Sequence, residues 1–280
     1  MAFETHAIET LPVVEAELNY LVPMSVRPRY YTYDPAPGVP RSNSGYEAHR
    51  VRIHDLRPVA GNATLDEQGF AVLRHRSAVR DFQDEAEIRG TYYPEAEALL
   101  KRVTGASRVF IFDHTLRRHI PGAEDDRTGV RQPARRVHVD HTERSGPQRV
   151  RDLIPDEAEA LLGGRVQIIN LWRPIRGPVL DAPLALADAS SVAPQELVPS
   201  DLVYRDRIGE TYAVTPSPRH RWFYLSRMQP DEAFLIKCYD SKTDGRARFA
   251  PHTAFTDPTA PTDAPPRESI ELRILVFHPE

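Results

Sequence analysis

The chain has 280 residues, a formal net charge of −4, 40% hydrophobic and 27% charged residues. These values suit an ordinary soluble globular protein and leave no basic footprint for nucleic acid or an anionic membrane surface. The only cysteine, Cys238, excludes an internal disulfide, a four-cysteine zinc site and a thiolate-bound cluster.

Taken in chain order, the N-terminal Met1-Ala2-Phe3-Glu4-Thr5-His6 lacks the basic-then-apolar order of a secretory signal. No stretch approaches the ~18 apolar residues of a membrane span, so a cytoplasmic chain is expected. The first 45 residues are rich in proline and tyrosine. Arg27 to Gly38 reads as extended chain and turn. Strands are predicted over 46–56 and 69–73. A helix is predicted from about Pro94 to Thr104, with proline and acidic residues at its start, Leu99, Leu100 and Val103 as its apolar stripe, and Gly105 as its stop.

Beyond it the texture is mostly β. Strands are predicted at 108–113, 137–140, 166–172, 201–204, 212–214, 222–226, 233–239 and 269–277, with one short helix over about 155–162. Many short strands without alternating helices favour an antiparallel sandwich or barrel over a doubly wound sheet. No repeat is visible, and 1–280 reads as one domain, with 1–105 packing as strands and a helix on a core formed by 106–280.

The chain lacks the glycine-rich nucleotide loops, the serine elbow and the H-E-x-x-H zinc motif. What remains is histidine and carboxylate on strands. His138-Val139-Asp140 puts two ligand types on one strand face, with Val137 and Val139 behind. His252, in a short β segment, would complete a two-histidine, one-carboxylate triad, the set that suits non-haem Fe(II) and leaves coordination positions open. With 11 histidines and 40 acidic residues chance supplies such pairs, and His141/Glu143 and His278/Glu280 share the spacing. His141, however, falls on the face opposite His138. Arg267 and Ser269 open the last strand, on the same face as Glu271 and Arg273, where an arginine and a hydroxyl could grip a carboxylate. With 33 arginines and only three lysines, the salt-bridged surface strand is the competing reading.

The order H-x-D, H, R-x-S resembles the double-stranded β-helix 2-oxoglutarate/Fe(II) oxygenases. Longer strings narrow this. Arg136 to Thr142, Ile169 to Ile175, Pro183 to Asp188, His220 to Ser226, Lys237 to Ser241, Ala250 to Phe255 and Pro266 to Glu271 look like the AsaB-like hydroxylase/desaturase family. That family includes fungal gibberellin desaturase and the hydroxylase component of the cephamycin 7α-methoxylase. The resemblance spans about Tyr30 to Phe277.

It implies a mainly β fold with flanking helices around a jelly-roll, cupin-like core. It implies Fe(II) and O2 as cofactor and oxidant, 2-oxoglutarate as co-substrate, and hydroxylation or desaturation of a small secondary metabolite through a ferryl oxidant. Carried over by position, His138, Asp140 and His252 would bind the metal. Arg267 and Ser269 would hold 2-oxoglutarate, with Arg173 or Arg273 as alternatives and Asn170 as a further cofactor contact. Trp172, Trp222 and Tyr224 are candidate substrate walls, and 30–33 and 240–248 are candidate lids. Lys237 is expected to be solvated and Cys238 to be a buried small hydrophobe. A cupin-like metalloenzyme without 2-oxoglutarate, or a metal-free β-barrel binding or partner protein, are the competing functions. The partner expected is a small molecule, not nucleic acid or membrane, with a homodimer or a pathway partner protein left open.

Overall fold

Alternating apolar and polar residues build most of the chain into strands, and the computed structural model describes residues 8–123 and 131–279. The N-terminal hexapeptide and Glu280 lie outside them. The strands are β1 (Val13–Leu21), β2 (Arg29–Tyr31), β3 (Tyr46–Asp55), β4 (Phe70–Arg74), β5 (Arg108–Arg118), β6 (His138–Val139) and β7 (Val166–Pro174). They continue as β8 (Leu184–Ala187), β9 (Leu197–Val203), β10 (Ile208–Val214), β11 (Trp222–Tyr224), β12 (Glu232–Asp240), β13 (His252–Ala254) and β14 (Glu268–Phe277). Three helices matter here: α1 (Tyr93–Thr104), α2 (Ser145–Leu153) and α3 (Ala158–Gly163).

Two sheets face each other. The larger runs β1-β3-β11-β8-β13-β6-β10-β9-β2 and the smaller runs β4-β12-β7-β14-β5. Phe70, Trp172, Leu186, Phe223, Phe234 and Ile236 belong to the core that fills the space between them. This is the jelly-roll sandwich expected from the sequence. A second core lies under α1, where Tyr92, Ala96, Leu99 and Leu100 pack on Ile169, Leu171, Ile270, Leu272 and Ile274 of the smaller sheet. β7 and β14 are therefore covered on both faces, and their apolar residues alternate between the two cores.

The N-terminal strands are hydrogen-bonded into both sheets. β3 pairs with β11 and β4 with β12, so residues before 105 extend both sheets, while α1 and the segment leading into it, with Ile88 and Tyr92, pack on the outside. β1 had no place in the predicted elements, yet it is strictly alternating, with Val14, Ala16, Leu18 and Tyr20 buried. It pairs with β3 along nine residues, and its other edge meets the chain ahead of β6. Asn19 bridges to Arg136, accepts from the Val137 N–H through its backbone and donates through Nδ2 to the Arg135 carbonyl. A third core joins β1 to this part of the larger sheet, with Tyr20, Ile53, Val137, Ala187, Trp222 and Tyr224. The chain leading into β6 is thus held from behind.

Candidate functional site

β6 and β13 are adjacent, and His138 lies directly opposite His252 in their register. Paired residues share a face, so the two rings point the same way, with centroids 4.5 Å apart. Asp140, two residues beyond His138, completes the group. One ligand atom from each of His138, Asp140 and His252 lies within 4.8 Å of the others, close enough to hold a metal ion.

The donor set is oriented for that role. His138 Nδ1 bonds the Arg136 carbonyl at 2.8 Å, and His252 Nδ1 bonds the Ala250 carbonyl at 3.1 Å. A carbonyl can only accept, so both rings carry their proton on Nδ1 and present a bare Nε2. Asp140 divides its oxygens. Oδ2 accepts from Asn170 Nδ2 at 2.8 Å and from Arg273 Nε at 3.0 Å. Oδ1 lies 3.5 Å from His138 Nε2, on the side of the bare nitrogens. Burial alone would raise the Asp140 carboxyl, but Arg273, and then His138 and His252, hold it well below the usual carboxylate range. Burial, helped by His138, pushes His252 down and keeps it neutral. Two imidazole Nε2 atoms and one carboxylate oxygen are a donor set that suits a divalent metal.

The smaller sheet supplies the rest. Asn170 and Arg273 are register partners on β7 and β14, as are Trp172 and Glu271, so all four face the space between the sheets. Further along the same face come Ser269 and then Arg267. Arg267 is 3% exposed, lies over the Trp172 ring at 5.4 Å, and gives Nη1 to the Ala182 carbonyl. No carboxylate among the described residues forms a salt bridge to its guanidinium. Burial, aided by Arg117, pushes it down to about 9. Its Nε and Ser269 Oγ are both buried without a hydrogen-bond partner. Each such orphan costs about 1–3 kcal/mol. Two orphaned donors on one strand face form a cradle for a carboxylate, so the residues fit a dicarboxylate co-substrate as well as a metal.

The other arginine candidates are already engaged. Arg173 alternates to the opposite face of β7, beside Ile270. There it bonds the carbonyls of His75 and Pro230 and lies over the Phe82 and Tyr92 rings. It does not join the site. Arg273 is committed to Asp140, Asp113 and Glu271. Asn170 belongs to Asp140 through its amide nitrogen, while its buried Oδ1 has no partner.

A cavity of about 1040 Å³ opens beside His138 and Asp140. The expected aromatic walls do not line it. Trp222 is fully buried, gives its indole N–H to Tyr20 Oη at 2.7 Å, and with Tyr224 fills the third core behind the larger sheet. Phe223, between them, faces the space between the sheets instead. Trp172 lies in that inter-sheet space, under Arg267. Of the candidate lids, Tyr30 lines the cavity, whereas 240–248 does not. The cavity walls that sequence reasoning missed include Phe112, Arg149, Tyr204 and Arg207. α2 could have been found: Thr142 Oγ1 accepts from the N–H groups of Arg144 and Ser145, a helix-start signature just after the H-x-D. Cys238 is buried as expected, and burial pushes its thiol well up.

Comparison with known proteins follows this geometry. A family model described as an oxidoreductase/YMDC permease-like domain matches residues 18–277. The chain is 38% identical over 256 residues to the Fe(II)/2-oxoglutarate-dependent dioxygenase nvfI of Aspergillus novofumigatus, covering 89% of this chain and 90% of that protein. It is 37% identical over 253 residues to the hydroxylase/desaturase efuI of Hormonema carpetanum, covering 83% and 84%. A solved structure of the iron and alpha-ketoglutarate-dependent endoperoxidase NvfI superposes with a TM-score of 0.87 at 34% identity, covering 96% of this chain and 99% of that one.

Proposed function

The chain belongs to the hydroxylase/desaturase family of Fe(II)/2-oxoglutarate-dependent dioxygenases, and from that premise we propose that it oxidises a small secondary metabolite by hydroxylation or desaturation. One observation carries the reading. A pre-oriented His-Asp-His set and an orphaned arginine–serine pair face the same inter-sheet space. The orphaned pair favours 2-oxoglutarate over a cupin-like metalloenzyme that needs no second carboxylate. Residues 1–280 are read as one oxygenase domain, and the cytoplasm as its setting.

His138, Asp140 and His252 would hold the iron, and Arg267 Nε and Ser269 Oγ would hold the distal carboxylate of 2-oxoglutarate. Together iron and co-substrate supply the oxidation of an unactivated C–H bond. The chain supplies geometry. The Arg136 and Ala250 carbonyls lock both imidazoles in the binding tautomer. Asn170 and Arg273 turn one carboxylate oxygen away and leave the other toward the metal. Trp172 backs the Arg267 plane, so its fork is ordered before it meets the co-substrate.

The test is an anaerobic addition of Fe(II) and then 2-oxoglutarate, followed by visible absorption. A charge-transfer band is expected in wild type, absent in His252→Ala and weakened in Arg267→Ala. Iron bound without the band would overturn the 2-oxoglutarate assignment, and no bound iron would overturn the metal.

A further inference from the structure

The cavity beside the triad is lined by eight arginines and four carboxylates. The carboxylates are taken. Asp140 is held as above, Asp113 accepts from Arg273, Glu210 from Arg27, Arg144 and Thr142, and Asp152 from Gln148. Arg136 also lacks a salt bridge among the described residues and lies over the Tyr30 ring at 5.3 Å, but among these arginines Arg149 alone has a buried guanidinium nitrogen without a partner, and Arg207 is its neighbour on the α2 side of the cavity. Arg207 forms no salt bridge among the described residues and lies over the Tyr204 ring at 4.0 Å. Arg149, on α2, lies over Phe112 at 5.7 Å, reaches a carboxylate only at 3.9 Å, and has its Nε buried without a partner. Both line the same cavity, Arg149 from α2 and Arg207 from the turn entering β10, two elements in contact with each other.

We propose that the substrate is an acid, whose ionised carboxylate is held between Arg149 and Arg207 on the wall of the metal cavity. This deepens the oxygenase reading above and rests on it for the reaction. Two like charges on one cavity wall, each lying over an aromatic ring, are a costly arrangement that a bound anion relieves. The aromatic backing fixes each guanidinium plane and leaves its fork free, matched to a planar carboxylate. The pair is separate from the co-substrate cradle, because Arg267 and Ser269 do not line this cavity. An acid anchored here would orient the rest of the molecule toward His138 and Asp140.

The test uses fluorescence titration of the full chain with 1-pyrenebutyrate and with its methyl ester. Wild type is expected to bind the acid about tenfold or more tightly than the ester. Arg149→Gln/Arg207→Gln should lose that preference and keep its affinity for the ester, which also reports an intact cavity. Arg149→Lys/Arg207→Lys should keep part of the preference, since charge remains and the fork is lost. Saturating 2-oxoglutarate should not displace the probe. Equal binding of acid and ester by wild type, or a preference surviving in the glutamine variant, overturns the proposal. So does competitive displacement by 2-oxoglutarate, which would assign the arginines to the co-substrate. The Fe(II)/2-oxoglutarate band of wild type reads the reaction separately. Acid preference without the band keeps the anion site and drops the oxygenase, and the band without the preference does the reverse.

Discussion

Asn170 and Arg273 reach the same oxygen of Asp140 from opposite positions on β7 and β14. Neither would touch the metal, yet both decide which oxygen is free and keep the carboxylate charged. Outer partners of this kind are worth about 10–100-fold in metal affinity. Asn170→Ala and Arg273→Met are therefore each expected to weaken iron binding by about that factor, read by anaerobic Fe(II) titration. Trp222→Phe should leave iron affinity unchanged and lower only the melting temperature, because its indole N–H serves Tyr20 in the third core. Equal iron loss in all three would show general destabilisation instead. At this scale the candidate metal group was legible, since a strand's period of two puts His138 and Asp140 on one face. The role of each arginine was not. Arg173, Arg267 and Arg273 look alike in sequence, and only strand parity and register send Arg173 outward, Arg273 to Asp140 and Arg267 to an unpaired position.

Elements position these residues through close contacts. Gly146 lets α2 lie against the Tyr239 ring of β12, where an added Cβ would fall 2.6 Å from ring carbons. Gly146→Ala should cost about 1–3 kcal/mol in denaturant unfolding, and it should weaken pyrenebutyrate binding by moving Arg149. β12 also carries Lys237, expected in solvent but fully buried, bonded to Asp66 at 2.7 Å and Asp240 at 2.8 Å. Burial would raise the Asp240 carboxyl, but Arg165 and Lys237 outweigh it and hold it below its ordinary value. A carboxylate depressed in the folded state contributes stability above its unfolded value, near pH 4, and loses it as pH falls through the folded one. Unfolding free energy should therefore fall steeply below about pH 4. Asp240→Asn should flatten that fall and cost about 3 kcal/mol at pH 7, because it leaves a buried ammonium underpaired. An unchanged acid limb in this variant would show that the network does not set acid stability.

Across the whole molecule, the first hundred residues complete both sheets. β3 pairs with β11, β4 with β12, and β1 ties the chain ahead of β6 through Asn19. A fragment of residues 106–280 would leave three strand edges unpaired, on β11, β12 and β9, and the third core open to water. It is expected to bind anilinonaphthalene sulfonate, lose near-ultraviolet circular dichroism and fail to bind iron. A folded, iron-binding fragment would show that the N-terminal part is dispensable.

The sequence by itself determined the β texture, helix α1, the H-x-D with its later histidine, and the family. Each rests on local spacing or on matched strings of residues, which survive without knowledge of neighbours. The tertiary structure decided what depends on pairing between distant strands. It put His138 across from His252, turned Arg173 outward, sent Trp222 and Tyr224 to the third core, and left Arg267, Ser269, Arg149 and Arg207 with unfilled bonding capacity. Register and burial are properties of the assembled sheets, and no window along the chain encodes them.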